Sequence, residues 1–466
     1  MNSKDETNCS RRTFLKHATR LSLAGVAAPW AFNLGAMAEA SAASASDYKA
    51  LVCVFLYGGN DYANTVVPYD SGSYAVYAKA RPGFAYERES LAATALMPTS
   101  DPVDSAGFSH QYAIAPNLAP LLPLFNSGKL GVVLNVGPLV EPTTKAQWDN
   151  QSVRLPPKLF SHNDQQSLWQ SVAPEGAPAG WGGRMGDMFK GANTYSTFTC
   201  INLFGNAVYL AGNDAVQYQM SASGVTPFSA LVHPLFGSAS ASAAFRTLVT
   251  QPRSNLLENE YNKICSRSIE AHQTLARALE NAPPLATAFP PQSHLAAQLK
   301  MVARLIGLAP VLGVKRQVFY VAMGGFDLHD SMRDSHPVLL AHLGSALAAF
   351  YAATSELGLA DQVTSFTASD FGRTLTGNGD GTDHGWGSTQ FVMGGAVNGK
   401  RYYGTAPILA DNGPDDIGHG CLLPTTSIEQ LAATLGGWLG VSDSDLLTML
   451  PNLANYNAGS RNLGFV

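Results

Sequence analysis

The chain has 466 residues, of which 46% are hydrophobic and 14% are charged, and its formal net charge is -5. Soluble domains ordinarily contain roughly 25% charged residues, so this composition excludes a disordered chain and predicts a globular protein with a large core. The slightly acidic balance also argues against nucleic acid as a partner, because such partners require a basic surface.

The N-terminal segment has the pattern of a twin-arginine export signal. Residues 10–16 read Ser-Arg-Arg-Thr-Phe-Leu-Lys, and a weakly apolar stretch and Ala/Ser-rich sequence follow. The pattern predicts a cleaved signal peptide over residues 1–45, recognition by the twin-arginine export machinery, and a periplasmic or secreted mature chain of residues 46–466. Pro29 and an apolar stretch shorter than the ~20 residues that cross a bilayer argue against a stable membrane anchor.

The cysteines of the mature chain form no Cys-x-x-Cys pair, so their spacing does not suggest a thiolate zinc site. They are Cys53, Cys200, Cys265 and Cys421. One or two disulfides are compatible with an oxidising periplasm. Cys53 lies inside an apolar run and is more typical of a core residue.

Apolar runs typical of buried strands alternate with helical patterns along the mature chain. Strands are predicted at residues 51–57, 130–136, 317–323 and 362–367. Helices are predicted at residues 118–125, 165–172, 239–281, 293–308 and 338–357. This alternation predicts an α/β fold with a mostly parallel central sheet. Residues 180–310 are mainly helical in pattern and are expected to form an inserted or lid subdomain of the single α/β domain.

Polar side chains follow two of the predicted strands. Residues 317–323 lead into Gly-Gly-Phe-Asp-Leu-His-Asp, and residues 362–367 lead into Ser369 and Asp370. A strand-helix-strand unit makes these strands parallel, so both clusters emerge at the same edge of the sheet, where neighbouring strands are ~4.8 Å apart. Asp327, His329 and Asp370 are therefore expected to reach one metal ion.

Two further segments are expected at the same edge. The first strand ends in Gly58-Gly-Asn-Asp61, and a glycine-rich loop carries Asp383 and His384. Carboxylate and imidazole donors on tightly folded glycine-rich backbone are typical of a metal site. The alternatives are ordinary turn or capping roles for the acids and structural roles for the histidines. The predicted metal ligands are Asp61, Asp327, His329, Asp370, Asp383 and His384.

Ser161 starts a predicted helix, and Asp164 follows three residues later in a pattern like a capping box. A hydroxyl at a helix N-terminus is also well placed to attack a phosphoryl or sulfuryl centre, so Ser161 is either a nucleophile or a cap alone. His162 is a candidate contact to an anion or metal, and Arg373 a candidate clamp for developing negative charge. The segment Thr426-Ser-Ile-Glu429 is predicted to be a structural capping box.

Several motifs occur in order along nearly the whole mature chain. They include Phe-Leu-Tyr-Gly-Gly-Asn-Asp (55–61), Ser-His-Asn-Asp-Gln-Gln (161–166), Gly-Trp-Gly-Gly-Arg (180–184), Ser-Asp-Phe-Gly-Arg-Thr (369–374) and Asp-His-Gly-Trp-Gly (383–387). Together with the twin-arginine start, they resemble the bacterial domain-of-unknown-function family fifteen-oh-one (DUF1501). That family is similar in outline to the alkaline phosphatase superfamily, which includes sulfatases. The resemblance implies a three-layer α/β sandwich with an inserted, mainly helical subdomain.

The similarity to that superfamily also implies roles for single residues. Asp327 and His329 are similar to its Asp-x-x-x-His metal pair, although one residue separates them here. Asp370 is similar to the aspartate of its Asp-His pair, but Phe371 stands where the histidine should follow. This departure favours one divalent metal over two, with Arg373 supplying the missing positive charge.

The sequence thus predicts an exported, metal-dependent hydrolase-like protein that acts on a phosphate or sulfate ester of a small molecule or glycan. The ion would be Zn²⁺, Ca²⁺, Mn²⁺ or Mg²⁺. The alternative is a non-catalytic periplasmic binding or scaffold protein on the same fold.

Overall fold

The structure is a computed structural model that describes residues 47–225, 229–410 and 412–466. The twin-arginine pattern and the apolar stretch behind it lie outside these residues. The described strands are β1 Lys49–Leu56, β2 Val66–Pro68, β3 Tyr112–Ile114, β4 Leu130–Gly137, β5 Cys200–Asn202, β6 Tyr218–Gln219, β7 Arg316–Met323, β8 Val363–Ser369, β9 Arg373–Gly377, β10 Thr382–His384, β11 Ser388–Gly394, β12 Tyr402–Tyr403 and β13 Thr426–Ser427.

Helices occupy most of the segments between these strands. They are α1 Ser71–Ala80, α2 Arg88–Leu91, α3 Leu122–Asn126, α4 Lys145–Asp149, α5 His162–Ser171, α6 Trp181–Phe189, α7 Ser229–Val232, α8 Ala239–Thr250, α9 Leu256–Asn281, α10 His294–Gly307, α11 Met332–Glu356, α12 Ile428–Leu439 and α13 Asp443–Met449.

The central sheet has the strand order β12-β4-β11-β8-β1-β7-β5-β6, and β13 pairs with β4. Within this sheet β11 is antiparallel to its neighbours β4 and β8, and the other pairings are parallel. The mostly parallel α/β sheet predicted from the sequence is confirmed. Strands β7 and β8 run in the same direction, as the strand-helix-strand unit predicts, but they are not neighbours, because β1 lies between them and pairs with both. Two strand spacings, roughly 10 Å, therefore separate β7 from β8.

Both faces of the sheet are covered, which explains why its central strands are almost continuously apolar. Side chains of β1 alternate between two cores, with Val52 and Val54 in one and Cys53 and Phe55 in the other. Helices α10 and α11 contribute buried residues to the first core, and α6 and α12 contribute to the second. The molecule is a three-layer sandwich, as predicted.

Helix α11 begins six residues before its predicted start at residue 338. Ser331, directly before the helix, adopts a left-handed conformation (φ 53°), and Pro337 is accommodated near the start of the helix. Among the described residues, α11 is the one helix long and apolar enough to cross a membrane by length and composition. Leu340, Leu343 and Leu347 of this helix are buried in the first core. It is therefore placed as a core helix of the sandwich.

The segments within residues 180–310 do not all lie in the same part of the fold. Helix α6 and strand β5 belong to the central sandwich, since α6 packs against the second core and β5 pairs with β7. Helices α8 and α9 follow farther along the chain, and no residue of α8 is buried. The subdomain boundaries at 180 and 310 stay a prediction.

Two local expectations are settled by the described residues. Cys53, Cys200, Cys265 and Cys421 are all free and buried there. The capping box of α12 is formed by Ser427 and Gln430, one residue later than predicted. The shift leaves Glu429 without a capping role.

The turn after β1 requires glycine and determines how closely the Asp327 segment approaches. Gly58 has φ 114°, and a Cβ atom there would lie 2.3 Å from the backbone nitrogen of Asp327.

Gly83 has a similar φ of 100° but open space around it. We expect Gly58→Ala to lower the free energy of unfolding by at least about 2 kcal/mol more than Gly83→Ala, since only the first adds a backbone clash to positive-φ strain. Urea unfolding measures both, and equal losses would contradict this.

Candidate metal centre

Four segments meet at the carboxyl edge of the sheet. The loop after β7 carries Asp327 and His329, β8 leads directly into Asp370, β10 ends with His384, and α5 begins with His162. Ligands in open α/β sheets bind outside this edge. The segments come together because β1, β7 and β8 run in the same direction.

His162, Asp327 and His384 form the centre of this site. Each offers one donor atom, and these atoms all lie within 4.8 Å of one another. His162 Nε2 is 3.2 Å from Asp327 Oδ2, and His384 Nε2 is 3.3 Å from Asp327 Oδ1. Two imidazoles and a carboxylate at this separation are a donor set that a divalent metal ion can bridge.

Both imidazoles are oriented by an acceptor on their far side. His162 Nδ1 is 2.6 Å from Asp370 Oδ2, and His384 Nδ1 is 2.8 Å from the Phe160 carbonyl oxygen. An acceptor at Nδ1 places the proton of a neutral imidazole there and leaves the Nε2 lone pair free. His162 Nε2 is buried, and its 3.2 Å contact with Asp327 Oδ2 does not have hydrogen-bond geometry. The Nε2 atoms of both rings lie beside Asp327.

His329 adjoins this centre in the same orientation. Its Nδ1 is 3.1 Å from Asp383 Oδ1, and its Nε2 is 2.9 Å from His384 Nε2 and 3.1 Å from Asp327 Oδ1. If both rings carry their proton on Nδ1, two lone pairs face each other at hydrogen-bond distance, which is unfavourable unless a proton or cation lies between them. Asp383, predicted as a ligand, thus contacts the centre through His329.

Asp370 lies behind His162. It is fully buried, and its Oδ2 also accepts a hydrogen bond of 2.9 Å from Gln166 Nε2. Its Oδ1 has no partner among the described residues. The contacts make Asp370 a carboxylate that orients a ligand. Gln166 was missed in the sequence, although its i+4 spacing from His162 on a helix was a usable signal.

Arg373 holds Asp327. Its guanidinium is 1% exposed, and Nη1 donates to Asp327 Oδ1 at 2.8 Å and to the Gly58 carbonyl at 3.2 Å. The Nε and Nη2 groups donate to the side chain and carbonyl of Thr382. Because these donors already have acceptors in the protein, Arg373 is placed to fix Asp327 and not to clamp an anion, as the sequence had suggested.

Asp61 has a different partner from the one predicted. Both its oxygens pair with the guanidinium of Arg81, at 2.8 and 2.9 Å, and the side chains of both residues are at most 2% exposed. Asp61 also caps the turn through a 2.8 Å bond from the Asn64 backbone N–H. Burial works to raise the pKa of Asp61, but Arg81 holds it below its ordinary value. Asp61 therefore cannot ligate an ion without breaking this pair, and its role is structural.

Ser161 is the N-cap residue of α5, and its hydroxyl donates to Asp164 Oδ2 at 3.0 Å. The capping-box pattern predicted that this hydroxyl would accept a hydrogen bond from the backbone at the start of α5, and it does not. Its neighbours in sequence, Phe160 and His162, both contact the centre. Ser161 is therefore next to the centre along the chain, with its hydroxyl bonded to an acid.

The charges of the site are coupled. The hydrogen bond with Asp370 raises the pKa of His162. Burial works to raise the pKa of Asp327, but Arg373 and the neighbouring histidines hold it below its ordinary value. Burial lowers the pKa of His384. Asp327 is thus an anion, which is the state that a metal ligand requires.

The family model described as "Protein of unknown function (DUF1501)" matches residues 48–452. A comparison with curated proteins found no match. Among solved structures, the chain is similar to Ps i-CgsB in complex with k-i-k-neocarrahexaose, at 10% identity and a TM-score of 0.37 over 88% of this chain and 77% of that one. It is also similar to the lipoteichoic acid synthase LtaP from Listeria monocytogenes, at 9% identity and a TM-score of 0.34 over 87% and 75% of the chains.

Removing Arg81 should destabilise the fold strongly. Arg81→Met leaves Asp61 buried without its counter-charge, so we expect the free energy of unfolding to fall by about 3–5 kcal/mol. Arg401→Met at an exposed position is the matched control and should change it by less than about 0.5 kcal/mol. Adding Asp61→Asn to Arg81→Met should restore part of the loss. Equal urea midpoints for the two single variants would contradict the structural role of the pair.

Proposed function

The chain belongs to the DUF1501 family, and we propose that it is an exported, metal-dependent hydrolase of phosphate or sulfate esters of small molecules or glycans. The observation that carries the proposal is the convergence of three imidazole Nε2 atoms around Asp327, each with its Nδ1 held by an acceptor. Export is supported by the twin-arginine pattern at residues 10–16.

The residues present fit a metal ion. His162, His384 and Asp327 would hold it, with His329 as a further donor. Asp370 Oδ1, which is buried and has no partner in the described part of the chain, leaves negative charge behind the ring of His162. A set of nitrogen donors with one carboxylate favours Zn²⁺ over Ca²⁺ or Mg²⁺, which prefer oxygen. When bound, such an ion polarises an ester oxygen and stabilises developing negative charge.

The other steps belong to side chains of this chain. Ser161 Oγ would attack the phosphorus or sulfur atom, so that its bond to that atom forms while the bond to the ester oxygen breaks and the alcohol leaves with a proton from water. A water molecule would then attack the phosphoryl or sulfuryl serine, which releases phosphate or sulfate and restores the hydroxyl. Asp164, 3.0 Å from the hydroxyl, is the acceptor in place for its proton. The N-terminus of α5 would favour the anionic substrate through the N–H groups of its first turn. Asp370 and Phe160 would keep the imidazoles oriented throughout.

Phe371 supports the competing function of a non-catalytic binding protein. Its fully buried ring lies 4.5 Å from the ring of His384 and 4.9 Å from that of His162, measured between centroids. An apolar ring here occupies space beside the donors and favours one ion over two. A single ion can serve either a catalytic or a structural role.

Metal affinity should follow the donor set. In calorimetric titration of metal-free protein with Zn²⁺, we expect one ion per chain, loss of binding in His384→Asn, and an affinity about 10–100-fold lower in Asp370→Asn, whose carboxylate orients His162. His419→Asn at an exposed position should keep one ion. Binding that survives in His384→Asn, or is lost in His419→Asn, would contradict the site.

Turnover should depend on Ser161. On a panel of phosphate and sulfate esters, Ser161→Ala should lower kcat at least about 1000-fold while Zn²⁺ binding stays unchanged, because the hydroxyl is the attacking group. Ser442→Ala removes the hydroxyl of another N-cap serine, that of α13, and should leave kcat unchanged. Zn²⁺ binding without turnover in the wild type would overturn the hydrolase proposal in favour of the binding protein. Undiminished turnover in Ser161→Ala would overturn the role of Ser161.

A further inference from the structure

A cavity of about 260 Å³, the edge cavity, opens at the carboxyl ends of β5 and β7. The end of β7 and Gly324 form one side of it, and Phe204, which follows β5, forms another. The start of α10 and His342 of α11 complete the wall. Because β5 and β7 are parallel neighbours, the cavity lies at the same edge of the sheet that carries Asp327.

The lining of the edge cavity is mainly apolar with a few polar groups. It includes the apolar side chains of Phe204, Leu295 and Met323 and the polar side chains of Gln292, His294 and His342. No carboxylate, ammonium or guanidinium group of the described residues lines it. A lining without these charges favours an uncharged ligand, because an ion would lose its hydration without gaining a counter-charge.

Phe204 gives the edge cavity an aromatic wall. Its ring stacks on that of Tyr57, with the centroids 5.7 Å apart and the planes inclined by 28°. Tyr57 is held in turn by a 2.7 Å hydrogen bond that the Tyr320 hydroxyl donates to its hydroxyl. Phe204 is 38% exposed, so the ring is supported on one side and accessible on another. The negatively polarised face of an aromatic ring attracts the C–H groups of a ligand.

The polar side chains of the edge cavity are free to bind a ligand. Gln292, His294 and His342 make no side-chain hydrogen bond to the described part of the chain. Ser293 differs, because its hydroxyl accepts from the Ala296 backbone N–H and caps α10. Imidazole and amide groups together offer both donors and acceptors. They therefore suit hydroxyl groups, which also donate and accept.

We propose that the edge cavity binds one pyranose ring of a glycan. The apolar C–H face of the sugar lies against Phe204, and its hydroxyl groups bond to Gln292, His294 and His342. The size is adequate, because an apolar cavity of about 150 Å³ in another protein holds benzene, which is also a six-membered ring. Pockets for small organic ligands have this same composition, an apolar and aromatic wall with a few polar groups that fix orientation.

The position of the edge cavity suits a substrate whose ester lies at the metal centre. The inference rests on the proposed function in this respect alone, that the bound sugar is the unit that carries the ester. Gly324, in the wall, is three residues before Asp327. Three residues of extended backbone span at most roughly 10 Å, a distance that one sugar ring with its ester group covers.

Methyl glycosides of glucose, galactose and mannose are the probes, and cyclohexanol is a six-membered ring with a single hydroxyl. In ligand-observed NMR titrations of the full mature protein, at least one glycoside should bind. Cyclohexanol should bind at least about tenfold more weakly, because it leaves most of the polar groups without a partner. Phe204→Ala should weaken glycoside binding at least about fivefold. Phe236→Ala, at an aromatic residue that is 94% exposed, is the matched control and should leave binding unchanged.

Filling the edge cavity tests its location independently of Phe204. A Cβ atom at Gly324 meets open space, and its φ lies outside the left-handed region, so a side chain there strains no backbone. Gly324→Leu should therefore keep the circular dichroism and Zn²⁺ affinity of the wild type but abolish glycoside binding. Gly459 has equally open space, and Gly459→Leu is the matched control, which should bind the glycoside as the wild type does.

Hydrolysis tests whether the bound sugar is the esterified unit. With Zn²⁺ bound, Phe204→Ala should raise KM for the 6-phosphate or 6-sulfate of the bound sugar about fivefold, with kcat within about twofold of the wild type. The KM for ethyl phosphate, which has no ring, should not change. An unchanged KM for the sugar ester would overturn this assignment.

Three results of the NMR titrations would each overturn the sugar site itself. They are no glycoside binding by the wild type, equal binding of glycoside and cyclohexanol, and full binding by Phe204→Ala or Gly324→Leu. Glycoside binding is measured without any ester. Its failure therefore leaves the hydrolase proposal untouched, and binding without turnover removes the hydrolase while the sugar site stands.

Discussion

The imidazole of His162 lies between two carboxylates, and this arrangement joins the elements that build the site. Asp370 follows β8 and accepts from Nδ1, while Asp327 follows β7 and faces Nε2. The ring itself comes from the first turn of α5. One side chain thus links a helix to two strands that are not neighbours in the sheet. Strand β1 lies between these two strands, and the glycines in the turn after β1 leave room for the contact.

Charged residues are few in this chain, and two buried arginines are concentrated at this edge. Arg373 holds Asp327 and Arg81 holds Asp61, and the hydroxyl of Thr382 lies between the pairs, 3.2 Å from Arg373 Nε and 3.5 Å from Asp61 Oδ2. A buried charge is stable only when it is paired and hydrogen-bonded. The two pairs therefore fix the loops after β1 and β7 in place and leave the imidazoles to provide the free donor atoms.

The sandwich could be predicted from the sequence because short apolar strands and long helices alternate clearly. The common edge could also be predicted, and it brings Asp327 and His384 together with His162. The order β8-β1-β7 could not, since a crossover helix determines strand direction but not how many strands it passes. The partner of Asp61 was hidden for a related reason, because Arg81 follows a helix 20 residues away and only folding brings the two together. Only interatomic distances distinguish the side chains that could donate to a metal from the groups that orient them, and the sequence does not give these distances.

An anomalous difference map from crystals of the mature protein grown with Zn²⁺ would test the central claim most directly. We expect one peak, at about 2.0–2.2 Å from the Nε2 atoms of His162 and His384 and from an oxygen of Asp327. A peak bound to Asp61, or no peak at this edge in crystals containing Zn²⁺, would contradict it.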